Sequence, residues 1–131
     1  MISVRNLRRL ARARLRDAET LAAARRFDGA VYMVGYAVEI ALKARICNTL
    51  RWKEFPLTTN EFRDFGSFKV HRLPILLKLC GREELIKTKY FTEWSAVAAW
   101  DPDTRYRPVG SASRRDAASM IAAATVLLKA L

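Results

Sequence analysis

The chain has 131 residues, 51% of them apolar, which suits a single domain spanning 1–131 with one continuous core and no need of disulfides. No run approaches the roughly 18–20 uncharged apolar residues of a membrane span, and no apolar leader follows the N-terminus; a cytoplasmic protein with no membrane partner is expected. Twenty-four Lys and Arg against thirteen Asp and Glu leave a net charge of +11, an excess that favours polyanionic partners.

Ser3 is placed to cap a first helix, and Val4, Leu7, Ala11, Leu15, Ala18, Leu21 and Ala22 follow at helical spacing. On the same helix Arg5, Arg8, Arg9, Arg12 and Arg16 fall on a separate arc roughly 100° wide. Wet helix faces usually mix Glu with Arg to limit repulsion, so this stripe is a candidate nucleotide- or RNA-binding surface.

The pattern breaks over Arg25–Gly29, where Asp28 is expected to cap a second helix. That helix, from about Gly29 to Leu50, is apolar on nearly every side, as a helix in the middle of a bundle must be. Its polar stripe is Tyr32, Tyr36, Glu39 and Lys43, with Glu39 four residues before Lys43 in the favoured order for an intrahelical pair. These four define either an interface, as in a dimer seam, or an internal ion pair. Gly35 costs about 1 kcal/mol relative to Ala in a helix, so a close helix–helix approach is expected there.

Residues 51–70 form a long connector in which Trp52, Phe55, Phe62, Phe65 and Phe68 anchor the chain to the body. A helix then opens at His71, takes Pro74 in its first turn and stops at Gly81. Another is expected from about Arg82 to Trp100, with Leu85, Ile86, Phe91, Trp94 and Val97 inward, ending at Asp101, Pro102 and Asp103. After the loop Thr104–Ala112, Ser113 and Asp116 have the spacing of a capping box, and the last helix runs to Leu131. The sum is an all-α, up-and-down bundle of four long helices and one shorter one. Cys47, Cys80 and the single His71 do not make up the four ligands of a structural zinc site, so no metal or cofactor is expected and the cysteines read as packing residues.

Three segments carry a resemblance. The run F-D-G-A-V-Y-M-V-G-Y-A-V-E-I-A-L-K from Phe27 to Lys43 resembles the central helix of HEPN domains, whose "A-V-E-x-A-L-K-A" core is matched by Ala37–Ala44. His71–Leu73 resembles the "H-x-L" that opens that family's third helix, and Arg105–Pro108 resembles its "R-Y-P" loop, with Arg107 inserted. The likeness covers most of the chain outside the connector. It implies a helical bundle that often dimerises, binds nucleotides or RNA, and in many cases works beside a small nucleotidyltransferase in toxin–antitoxin or defence systems.

One branch of that family consists of metal-independent ribonucleases marked by an Arg followed, four to six residues on, by a His near the last helix. This sequence departs from it: no His follows Arg105, Arg107, Arg114 or Arg115, and Arg63 lies seven intervening residues before His71. Cleaving RNA without a metal needs groups that accept and return protons, a task that suits His and hardly suits Arg. The enzyme reading is therefore disfavoured. If a reaction occurs, its candidates are His71, Arg105 and Tyr106. Arg105 and Arg107 are further candidates for phosphate contact, against an internal alternative in which Arg105 forms a salt bridge and Tyr106 plugs the bundle end. Three functions remain in play: a nucleotide- or RNA-binding module with a nucleotidyltransferase partner, an atypical ribonuclease toxin, and a dimeric interaction protein without catalysis.

Overall fold

In a computed structural model describing residues 1–131, the chain is an all-α helical bundle. Its elements are β1 (Ile2–Ser3), α1 (Val4–Ala23), α2 (Phe27–Leu50), β2 (Glu54–Phe55), α3 (Leu73–Leu79), α4 (Glu83–Lys89), α5 (Phe91–Val97) and α6 (Arg114–Ala130), with 3-10 turns at Gly66–Phe68 and Pro102–Tyr106. No helix is long and apolar enough to cross a membrane.

Ser3 caps α1 as its chemistry dictates, its hydroxyl accepting the Asn6 N–H at 3.2 Å. The helix ends in a left-handed residue, Arg25 at φ 62°. Arg26 N–H bonds the Leu21 carbonyl and Arg25 N–H that of Ala22, the paired bonds of a Schellman closure. Two residues after Arg25, α2 begins and runs back along α1. Thirteen of its residues are buried, and α1, α3 and α6 all pack against it. Leu7, Ala11, Leu15 and Ala18 of α1 supply the facing stripe.

Phe55 and Phe62 of the connector are buried in the core and Trp52 and Phe68 pack against it, while Phe65 stays exposed. Trp52 lies 4.9 Å from Phe65 and 5.0 Å from Phe68 between ring centroids, and Phe55 meets Phe62 at 5.9 Å. A two-residue antiparallel pairing, Ile2 with Phe55 and Ser3 with Glu54, ties the chain start to this loop. Both cysteines are fully buried.

Three details differ from expectation. The stretch expected as one helix from Arg82 to Trp100 is two seven-residue helices that meet at Tyr90, so the long helices number three: α1, α2 and α6. Thr88 explains part of the break, because its hydroxyl bonds the Glu84 carbonyl at 2.7 Å, a back-bond that bends helices. The turn carries Phe91 outward, 65% exposed, while Ile86, Trp94 and Val97 reach the core. Second, Asp28 does not cap α2, whose N-cap Arg26 makes no side-chain bond; Asp28 instead accepts backbone N–H groups from Gly110 at 2.7 Å and Ala112 at 2.9 Å. Third, Gly35 does permit a close approach, but by the indole of Trp100 instead of a helix: a Cβ there would lie 2.1 Å from Trp100 Cγ and Cδ2.

Candidate anion-binding sites

The starts of α2 and α6, the end of α5 and the loop between α5 and α6 enclose a cleft of about 560 Å³. The capping box that starts α6 there is complete: Ser113 Oγ accepts from Asp116 N–H at 3.0 Å, and the Asp116 carboxylate accepts from Ser113 N–H at 2.9 Å. Asp28 fastens the loop to the first turn of α2 through Gly110 and Ala112. These N–H donors hold the Asp28 carboxyl below its ordinary value of 3.8, Gly110 contributing most. Both carboxylates on the cleft wall are thereby committed to backbone.

Of the cleft's other polar side chains, Arg105, Arg107 and Trp100 only donate, and the hydroxyls of Tyr32, Thr104, Ser111 and Ser119 can donate or accept. Arg105 and Arg107 stand on its rim, beside Tyr32 and Ser119. The Arg105 guanidinium lies 4.8 Å from the Tyr106 ring centroid, and the hydroxyls of Tyr106 and Tyr32 raise its pKa further, so it is a permanent cation. Trp100, 5% exposed, and Thr104 also line the cleft, and neither Trp100 Nε1 nor Thr104 Oγ1 has a hydrogen-bond partner. Buried donors of this kind are normally satisfied. Val31, Ala96, Ala99 and Met120 supply an apolar floor.

Neither internal role considered for the loop is present: Arg105 forms no salt bridge, and Tyr106 is 74% exposed instead of plugging the bundle. Tyr32 stacks against Tyr36 at 6.4 Å between centroids. Further along the same face of α2, Glu39 is 2% exposed and its Oε1 accepts both Lys43 Nζ and His71 Nδ1 at 2.7 Å each. Glu39 and Lys43 are thus a buried internal pair, extended by a third member from the residue pair before α3. A carboxylate only accepts, so Nδ1 carries the proton toward it, and the His71 side chain, 58% exposed, leaves its Nε2 side to solvent. Tyr32 and Glu39 are seven residues apart, about 10 Å along the helix. No hydrogen bond joins His71 to Arg105 or Tyr106.

The α1 arginines stand elsewhere. Arg5, Arg9, Arg12 and Arg16 are exposed, and Arg8 is half-buried, reaching the Leu131 carbonyl at 3.4 Å. None of the five is in an ion pair; the one pair on α1 joins Arg14 to Asp17 at 2.9 Å. Arg9, Arg12 and Arg16 border a shallow trough of about 540 Å³ with Ile2, Asn6 and Leu10. Because β1 pairs with the residues after α2, this row starts at the opposite end of the bundle from the cleft. The structure therefore splits the basic candidates into two surfaces. Sequence reasoning missed Trp100 and Thr104 as site residues, and also Arg45, whose half-buried guanidinium has an unpartnered Nε and a pKa lowered by burial, Arg82 and Arg8.

No protein-family model matches the chain, and no curated protein or solved structure matches it. Its own residues define an all-α bundle whose candidate basic residues lie on two separate surfaces.

Proposed function

We propose that the chain is a HEPN-like module that binds RNA or nucleotide in the cytoplasm, as a homodimer and beside a small nucleotidyltransferase in a toxin–antitoxin or defence-type system. The observation that carries the binding part is the α1 row: Arg5, Arg9, Arg12 and Arg16 are exposed with no carboxylate paired to any of them. Unpaired cations one turn apart, about 5.4 Å along the axis, suit the repeating charge of a phosphodiester chain. The partner and the dimer rest on the family resemblance of Phe27–Lys43, His71–Leu73 and Arg105–Pro108.

Fluorescence anisotropy with a labelled single-stranded RNA tests the reading. Neutralising three or four phosphates gives a slope of about −2 to −3 in log K against log salt. Reversing Arg9, Arg12 and Arg16 to Glu removes most of the affinity and flattens the slope. RNA affinity that survives this reversal, or no RNA affinity at low salt, refutes the proposal.

A second reading, an atypical metal-independent ribonuclease, is favoured by one observation: Glu39 orients His71 while leaving Nε2 toward solvent, as a general base requires. Under this reading purified protein cleaves RNA in chelator and loses that activity in His71→Ala.

A further inference from the structure

We propose that the cleft between α2, α5 and α6 is a receptor for an uncharged small molecule that presents a carbonyl oxygen from an apolar body, an amide above all. The proposal is independent of the RNA-binding reading, which rests on α1, and it leaves the loop guanidiniums out of ligand recognition.

The charges of the wall balance one another. Arg105 and Arg107 face Asp28 and Asp116, the two carboxylates among the lining residues. Backbone N–H groups of Gly110 and Ala112 hold the Asp28 carboxyl below its ordinary range, and that of Ser113 does the same for Asp116, so both are ionised at neutral pH. Arg26 and Arg115 act on these two carboxylates from outside the lining. Arg105 is already engaged, by the hydroxyls of Tyr106 and Tyr32 and by the face of the Tyr106 ring. Arg107 is exposed and keeps its hydration. An anion entering the cleft therefore meets two carboxylates, and a cation meets two guanidiniums. Either would leave water without a free counter-charge inside, and burying an unpaired charge is costly. A neutral ligand incurs no such cost.

One donor and one hydroxyl remain inside. Trp100 is 5% exposed, and its Nε1–H, which can only donate, has no acceptor. Thr104 Oγ1 is also buried and unpartnered, whereas the Ser111 hydroxyl is committed to the Pro108 carbonyl. Native proteins rarely leave such atoms unpaired. A carbonyl oxygen accepts from the indole, and an amide adds an N–H that the threonine hydroxyl can accept.

Size and lining fit the rest of such a molecule. The cleft holds about 560 Å³, within the range of small-molecule sites, which join a mostly apolar wall to a few placed polar groups. Val31, Ala96, Ala99 and Met120 supply the apolar surface, together with the Tyr32 and Trp100 rings, 6.0 Å apart between centroids.

The experiment uses the full chain with isotope-labelled tryptophan and four probes of similar shape: benzamide, benzoate, benzylammonium and toluene. Contact and affinity are read by titrating the Trp100 indole N–H resonance, assigned by its loss in Trp100→Phe. Benzamide is expected to move that resonance and to bind about fivefold tighter than each of the others, the worth of one net hydrogen bond. In Trp100→Phe, which keeps a ring against Gly35, ligand-observed NMR should show benzamide binding no better than toluene. Thr104→Val keeps the side chain's shape and should weaken benzamide while sparing toluene. If Trp100→Phe does not fold, the order of the four probes on the parent and the Thr104→Val result decide.

Benzoate or benzylammonium binding as tightly as benzamide would mean that charge selects the ligand. Toluene binding as tightly would make the cleft a plain apolar cavity. Either result overturns the proposal, as does an indole resonance that none of the four moves up to its solubility limit. Loss of RNA binding by the α1 row alters none of these titrations, so the two readings fail separately.

Discussion

Substituting Gly35 by Ala probes the packing on which the cleft depends. An alanine Cβ would lie 2.1 Å from Trp100 Cγ and Cδ2 and 2.2 Å from Cε2, where ordinary van der Waals contact starts at 3.4 Å. The indole must therefore retreat by about 1.3 Å, the difference between those distances, from a close-packed position beside the Tyr32 ring, 6.0 Å away between centroids. Alanine gains about 1 kcal/mol of helix propensity. Against this, overpacking a full core costs about 1–3 kcal/mol, and complete loss of a buried tryptophan's packing costs about 3–5 kcal/mol. The expected net loss is about 1–3 kcal/mol, a fall in Tm of roughly 4–12 °C at this chain length. Urea unfolding followed by circular dichroism measures it. The double variant Gly35→Ala/Trp100→Leu should lose less than the sum of its singles, because the clash leaves with the ring. A Gly35→Ala protein as stable as the parent, with an unmoved Trp100 indole resonance, would refute the packing account.

The remaining outcomes concern charge and burial. Glu39→Ala strands a half-buried Lys43 and should cost about 2–4 kcal/mol. Glu39→Gln keeps an acceptor oxygen and should cost less; equal losses from the two in thermal unfolding would show that the ion pair contributes nothing. The amino group of Met1, then the N–H groups of Leu57 and Thr58, push the Glu61 carboxyl down to about 2 from 4.5. A pKa depressed in the folded state stabilises above the unfolded value. Glu61 therefore contributes fully above about pH 4.5 and progressively less as pH falls toward 2. Urea midpoints of Glu61→Gln and parent should converge over that window, and parallel curves would contradict it. Burial lifts the Cys47 thiol to about 11 and also raises Cys80. Iodoacetamide should leave both unlabelled in native protein and modify both in urea; native labelling at the unfolded rate would exclude this burial.

Much of the fold was legible because local chemistry and tertiary packing agree. Ser3 caps α1, Ser113 and Asp116 box α6, and the all-round apolar character of α2 places it centrally. The break at Tyr90 carried no glycine or proline to announce it, only Thr88, and its orientation of Phe91 depends on what α5 packs against. Asp28 has the composition and position of a cap, yet its partners lie 82 and 84 residues away, beyond any local pattern. The arginine row was readable from a 3.6-residue period, except that Arg8 turns toward Leu131 for a tertiary reason. The cleft was not readable, because segments around Asp28–Tyr32, Ala96–Arg107 and Val109–Met120 only meet after folding. Arg105 and Arg107 stood out in sequence, but the unsatisfied Trp100 and Thr104 atoms exist only as geometry.

The three-residue link between α1 and α2 also orders events in time. A hairpin of neighbouring helices closes a short loop and forms early, whereas contacts between distant segments bear a larger loop-closure cost. The α1 row sits on that hairpin; the cleft needs α6 and its preceding loop in place. Pulse-labelled hydrogen exchange should protect α1 and α2 amides before those of Gly110 and Ala112, and simultaneous protection would argue against this order. A chain still folding, or one emerging from the ribosome, would then carry its row of unpaired arginines before it carries its cleft.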